Sequence, residues 1–83
     1  GKIKALDALN EESGAHVRLL AIDFVVINSQ GVRCWSIVAL SNMRGCFIKI
    51  RYTAPVEFIL SVQGEAASKE WTSQLADFVG MYS

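Results

Sequence analysis

Four residues have types and spacing that could bind an anionic ligand on the surface of a β-sheet. Arg33 and Trp35 are two residues apart on one predicted strand, and Lys49 and Arg51 are two residues apart on the next, so each pair lies on one side of its strand. If the hairpin between these strands turns near Met43, all four side chains share one outer sheet face, with Trp35 opposite Arg51. Such a face suits an anionic ligand or a nucleic-acid strand. The same residues can also stabilise an exposed sheet through a cation–π contact alone, so both interpretations stay open.

Asp23 is a second candidate, because it is a carboxylate inside an apolar stretch, between Ile22 and Phe24. In such surroundings a carboxylate must be hydrogen-bonded, paired with a base such as Arg18 or Lys49, or exposed to water. A strand position near an open sheet edge meets this requirement without any function. The functional alternative is a carboxylate that faces a cleft and has a raised pKa.

The sequence contains no recognisable set of residues for catalysis, metal binding or phosphate binding. His16, the only histidine, has no Ser or Cys at the spacing of a catalytic pair. Cys34 and Cys46 lack metal-ligand spacing, and the predicted strand pairing places them too far apart for a disulfide. We therefore predict two free, buried thiols, no cofactor, no metal site and no enzymatic activity.

Composition limits both the size of the protein and its partners. The 83 residues suffice for one small domain, and 52% of them are hydrophobic, so either the core is dense or apolar surface is shared. Eight basic and eight acidic residues cancel, which argues against nucleic-acid binding. No apolar run approaches the roughly 20 residues that span a bilayer. These features predict a protein partner or a homo-oligomer, and no membrane span.

Residues with high β-propensity favour an antiparallel three-stranded sheet over residues 17 to 53. The first strand, residues 17 to 28, is apolar on both faces. This pattern is typical of a central strand, or of a strand that packs a helix on one face and a second chain on the other. Residues 32 to 40 form the second predicted strand. In the third, even-numbered residues from Cys46 to Tyr52 face the core, and Pro55 ends the strand.

Two helices flank this sheet in the prediction. The spacing of Ile3, Leu6 and Leu9 predicts an N-terminal helix over residues 2 to 13. At the other end, apolar residues recur at helical intervals in Ala67, Trp71, Leu75, Phe78 and Val79.

The limits of the C-terminal helix follow from its polar residues and glycines. Ser68 is the predicted cap and Gly80 the predicted end of this helix. The preceding residues, 56 to 63, fit a strand or a helical turn. We favour a helix there, broken by Gly64.

The segment from Gly45 to Pro55, G-C-F-I-K-I-R-Y-T-A-P, with the amphipathic helix that follows it, resembles the end of PsbP-like small bacterial exported proteins. The resemblance covers about the last 50 residues of this sequence. It implies an antiparallel sheet flanked by helices, a non-enzymatic accessory or binding role, and a periplasmic or otherwise exported location. It carries over no site residue.

Together these features predict a single α+β domain over residues 1 to 83, which is either the C-terminal part of a longer protein or a complete domain. The leading hypothesis is a non-catalytic interaction domain of an exported bacterial protein; a cytoplasmic location is the alternative to export. The competing function is binding of a small anionic ligand or nucleic acid through Arg33, Trp35, Lys49 and Arg51.

Overall fold

The chain folds, in a computed structural model that describes residues 2 to 82, as an antiparallel sheet followed by helices. Four strands lie in the order in which they occur in the sequence, each antiparallel to the next. The strands are β1 (Ile3–Leu9), β2 (His16–Ile27), β3 (Arg33–Met43) and β4 (Cys46–Pro55), and the helices are α1 (Val56–Ile59) and α2 (Val62–Tyr82). The α+β class and the antiparallel sheet are therefore confirmed.

The predicted N-terminal helix and the three-stranded sheet are both wrong, because residues 3 to 9 form a fourth strand. The spacing of apolar residues in this segment fits a helix, but Leu6 and Ala8 also alternate with exposed neighbours. Pairing with β2 along the full length of β1 supplies interstrand hydrogen bonds that the local spacing does not reveal. Tertiary contact therefore decides the structure of this segment.

The loop between β1 and β2 is closed by side-chain hydrogen bonds. Asn10 Oδ1 accepts from the backbone N–H groups of Glu12 and Ser13, and Gly14 takes a positive φ of 77°. Asp77 on α2 accepts from Asn10 Nδ2 at 2.7 Å and from Ser13 Oγ at 2.6 Å. These bonds fasten the first hairpin to the C-terminal helix.

The C-terminal helix starts earlier than the sequence indicates. The preference for a helix after Pro55 is confirmed by α1. Ser61 then caps α2, since its Oγ accepts from the backbone N–H of Gly64 at 3.0 Å. Gly64 therefore lies inside α2 instead of breaking it, Ser68 is not the cap, and α2 continues past Gly80.

One face of the sheet is covered by α2, and we call it the helix-side face. The residue least exposed to solvent on the central strands of this face is Ala39, and Ile37 beside it is only 2% exposed. Small residues allow the helix to approach the sheet closely. The buried cluster consists of Ala8, Leu19, Ala21, Ile37, Ala39, Leu75, Ala76 and Val79. None of the described helices is long and apolar enough to cross a membrane.

Candidate interaction surface

The opposite face of the sheet, which we call the open face, has an aliphatic patch on its two central strands. Leu20 on β2 lies opposite Leu40 on β3, and Ile22 lies opposite Val38. Leu20 is 60% exposed and Leu40 46% exposed, while the other two are half-buried. We call these four residues the aliphatic centre. On β1 the apolar surface continues through Ile3, which lies opposite Ile22.

Polar side chains border the aliphatic centre beside β3 and at both ends, where Phe24 and the exposed Phe47 accompany them, and we call the polar ones the polar rim. Lys49 and Arg51 lie beside it on β4, opposite Leu40 and Val38. The remaining members are Asp7, Arg18 and Asn42 at one end, and Ser36 and Thr53 at the other. An apolar centre with a polar rim is the arrangement found in protein–protein interfaces.

Arg51 is held flat against the open face. Its Nε donates to Ser36 Oγ at 3.1 Å, and its guanidinium carbon lies 5.5 Å from the centre of the Phe24 ring. Ser36, only 1% exposed, also shares a 2.8 Å hydrogen bond with Thr53 Oγ1. The cation–π partner of Arg51 is therefore Phe24 and not Trp35.

The four predicted ligand-binding residues do not share one face. Lys49 and Arg51 lie on the open face, whereas Arg33 and Trp35 lie on the helix-side face, where Trp35 is opposite Ala54. The prediction placed the turn near Met43, which would pair Trp35 with Arg51. The centre of the turn lies between residues 44 and 45, one and a half residues beyond the predicted centre. Odd-numbered residues of β3 therefore pair with even-numbered residues of β4, and each side chain of β3 lies on the face opposite to the predicted one.

The reason for this register is a tight turn with two left-handed residues. Arg44 has a φ of 54° and Gly45 a φ of 83°, and Met43 pairs directly with Cys46. A two-residue hairpin turn with both central residues at positive φ matches the twist of the strands it joins. Arg rarely adopts a positive φ, so the sequence alone does not indicate a turn at this position.

Trp35 is partly buried and packs against the hydrophobic core. Its ring lies edge-on to Tyr52, with centroids 6.4 Å apart, and Tyr52 lies 5.2 Å from Trp71 on α2. The indole Nε1 donates to Asp23 Oδ2 at 3.3 Å. These contacts give Trp35 a structural role between sheet and helix.

Asp23 has the hydrogen bonds that a carboxylate in an apolar stretch requires, but its base is Lys4, not Arg18 or Lys49. Lys4 Nζ lies 3.0 Å from Asp23 Oδ2. The hydrogen bond from Lys4 is the main reason that the pKa of Asp23 is lowered, and the bond from Trp35 adds to it. The functional alternative, a cleft carboxylate with a raised pKa, is therefore wrong.

The other candidate residues lie apart from one another. His16 begins β2, and its Nε2 lies 3.6 Å from Asp7 Oδ1 on the open face. Both cysteines are free, as predicted, but only Cys34 is buried, whereas Cys46 beside the hairpin turn is exposed. Cys34 lies opposite Pro55 within the sheet, whereas Cys46 pairs with Met43 at the end of the ladder beside the turn.

The aliphatic centre is a feature of the site that the sequence prediction does not include. The signal was the apolar character of both faces of the first predicted strand, which also allowed for a second chain on one face. No family model, no curated protein and no solved structure matches the chain. The resemblance to PsbP-like proteins therefore stays a prediction from the sequence, and the function rests on the surface itself.

Proposed function

We propose that this chain is a non-catalytic interaction domain that binds protein through its open face. The observation that carries the proposal is the aliphatic centre, with Leu20 60% exposed and Leu40 46% exposed on the two middle strands. Large aliphatic side chains adjacent to one another on a sheet expose apolar area that a partner removes from water. The helix-side face has such a cover in α2, whereas Leu20 and Leu40 on the open face stay exposed.

The polar rim supports a protein surface as the partner. Desolvated apolar contacts at the centre give affinity, while charged residues at the edge direct orientation and remain hydrated. Arg51 is suited to the rim, because Ser36 and Phe24 fix its side chain before any partner arrives. A fixed side chain loses less rotamer entropy on binding.

A photo-crosslinking amino acid in place of Leu40 tests this proposal in cells that express the protein. The expected result is a discrete protein adduct that disappears when Leu20→Ser is added. The same crosslinker at Val62, which is 81% exposed on α2, is the control. An equal yield from Val62, or no protein adduct from Leu40, would contradict the proposal.

Binding of an anionic ligand or nucleic acid is the competing hypothesis, and of the predicted residues only Lys49 and Arg51 share the open face. Trp35 is committed to contacts with Tyr52 and Asp23, so stacking on the open face would fall to Phe24 or another aromatic residue. A fluorescent single-stranded oligonucleotide that binds the wild type and is released by Lys49→Glu would favour this hypothesis over protein binding. Export of the protein remains a prediction of the resemblance.

A further inference from the structure

The charges of the polar rim are distributed unequally between the two edge strands. Lys49 and Arg51 lie on the open face of β4, whereas Asp7 is the acidic residue on that face of β1. Lys49 has no ion-pair partner among the described residues. Asp7 is held only loosely, with Oδ1 at 3.6 Å from His16 Nε2 and at 4.0 Å from Arg18 Nε. The β4 edge of the face therefore offers cations, and the β1 edge offers an anion that lies beside Arg18 and His16 of β2.

Two copies of a sheet can pack face to face about two kinds of in-plane two-fold axis. An axis across the strands places β4 over β4, and it brings Lys49 and Arg51 against the same residues of the other copy. An axis along the strands places β1 over β4, and it brings Asp7 over Phe47, one strand position away from Lys49. The second arrangement therefore gives Lys49 an opposite charge as its diagonal neighbour, twice by symmetry, in place of a like charge.

The two-fold axis along the strands also matches the aliphatic centre of one copy to that of the other. Leu20 and Ile22 on β2 lie opposite Leu40 and Val38 on β3. An axis along the strands and between β2 and β3 therefore stacks Leu20 of one copy on Leu40 of the other, and Ile22 on Val38. On β1, Ala5 then comes under the aliphatic stem of Lys49, whose charged end reaches water at the rim, and Ile3 comes under the strand position of Arg51. The Arg51 guanidinium stays on the face itself, over Phe24 and beside Ser36.

We propose that the partner of the open face is a second copy of this chain, packed about a two-fold axis parallel to the strands. This inference rests on the proposed function and names its partner. Four strands about 4.8 Å apart and about eight residues of strand at about 3.3 Å each give a footprint of roughly 500 Å² per copy. The two copies bury about 1,000 Å², which is in the range of weak, reversible interfaces. The dimer therefore dissociates in the micromolar range or above.

Sedimentation of charge-reversed variants tests both the dimer and its axis. Asp7→Lys and Lys49→Glu should each weaken self-association on the order of tenfold, because two symmetric pairs become repulsive in each homodimer. A one-to-one mixture of the two variants should recover the wild-type affinity, since the lysine introduced in one copy then lies near the glutamate introduced in the other. Recovery on mixing also shows that both variants are folded.

Glu57→Lys and Lys69→Glu are the controls, because they make the same charge changes on the exposed surfaces of α1 and α2. They should leave the sedimentation of the protein unchanged. A wild type that stays monomeric up to about a millimolar overturns the dimer, and a mixture that fails to recover overturns the proposed axis. If the crosslinker at Leu40 then captures a different protein, the proposed function stands and only this inference fails; if it captures none, both fail.

Discussion

The two glycines of α2 provide a test of how α1 packs against the start of the long helix. A Cβ atom added at Gly64 would overlap the backbone carbonyl of Phe58, at the end of α1. That carbonyl is fixed, because it accepts from the backbone N–H of Ser61 at 2.9 Å and from Ser61 Oγ at 2.5 Å. A Cβ atom added at Gly80 would meet only the Cβ of Ala15, at an ordinary contact distance of 3.7 Å.

The same substitution should therefore have opposite effects at the two positions. Gly→Ala within a helix normally stabilises a protein by about 0.8–1 kcal/mol. At Gly64 this gain is outweighed by overpacking, which costs roughly 1–3 kcal/mol, so Gly64→Ala should lower the free energy of unfolding by about 1 kcal/mol. Gly80→Ala should raise it by about 0.5–1 kcal/mol, because its methyl group fits and the last turn of a helix is partly frayed.

Urea unfolding followed by circular dichroism measures both effects. With a denaturant dependence of about 1 kcal/mol per molar urea for a chain of this size, the midpoints of the two variants should lie about 1.5–2 M apart. If Gly64→Ala is as stable as Gly80→Ala, then α1 does not cross the start of α2 as described. The close approach of Phe58 and Gly64 would then be refuted.

Three further predictions concern individual side chains. The pKa of Asp23, followed by NMR, should lie below the usual range for Asp and should rise in Lys4→Gln. The stabilisation that this carboxylate provides is present above its unfolded-state pKa and is lost as the pH falls through the lowered folded-state pKa. A pKa that does not change in Lys4→Gln would contradict the ion pair. A maleimide should modify Cys46 rapidly and Cys34 only on unfolding, and equal rates would contradict the burial difference. Ser61→Ala should destabilise the fold by about 1 kcal/mol in urea unfolding, because it removes the cap of α2, whereas no change would mean that the cap is dispensable.

Strand periodicity was the most informative signal in the sequence. The alternation of β4 predicted its faces correctly, since Ile48, Ile50 and Tyr52 are half-buried and the odd-numbered residues are exposed. Pro55 ends this strand as predicted. The apolar stripe of α2 was also correct in Leu75 and Val79, which are buried in the core. These signals succeed because one face of each element packs against a single layer.

The failures came from features that depend on distant residues or on rare backbone geometry. The segment Ile3–Leu9 satisfies both periods, and only its ladder with β2 decides between them. The face of Trp35 depended on the position of a turn in which Arg44 adopts a left-handed conformation. A shift in pairing by an odd number reverses a whole face, so a small error in the turn separated Arg33 and Trp35 from Lys49 and Arg51.

Methyl NMR of the wild-type protein between about ten micromolar and one millimolar tests the central claim most directly, because it spans the weak affinity range expected of a small interface. The account predicts that the methyl signals of the aliphatic centre, Leu20, Ile22, Val38 and Leu40, move with concentration, while those of Leu75 and Val79 in the core and Val62 on α2 stay fixed. Shifts confined to α2, or no shift at any concentration or with any captured protein partner, would contradict the open face as the binding surface of this chain.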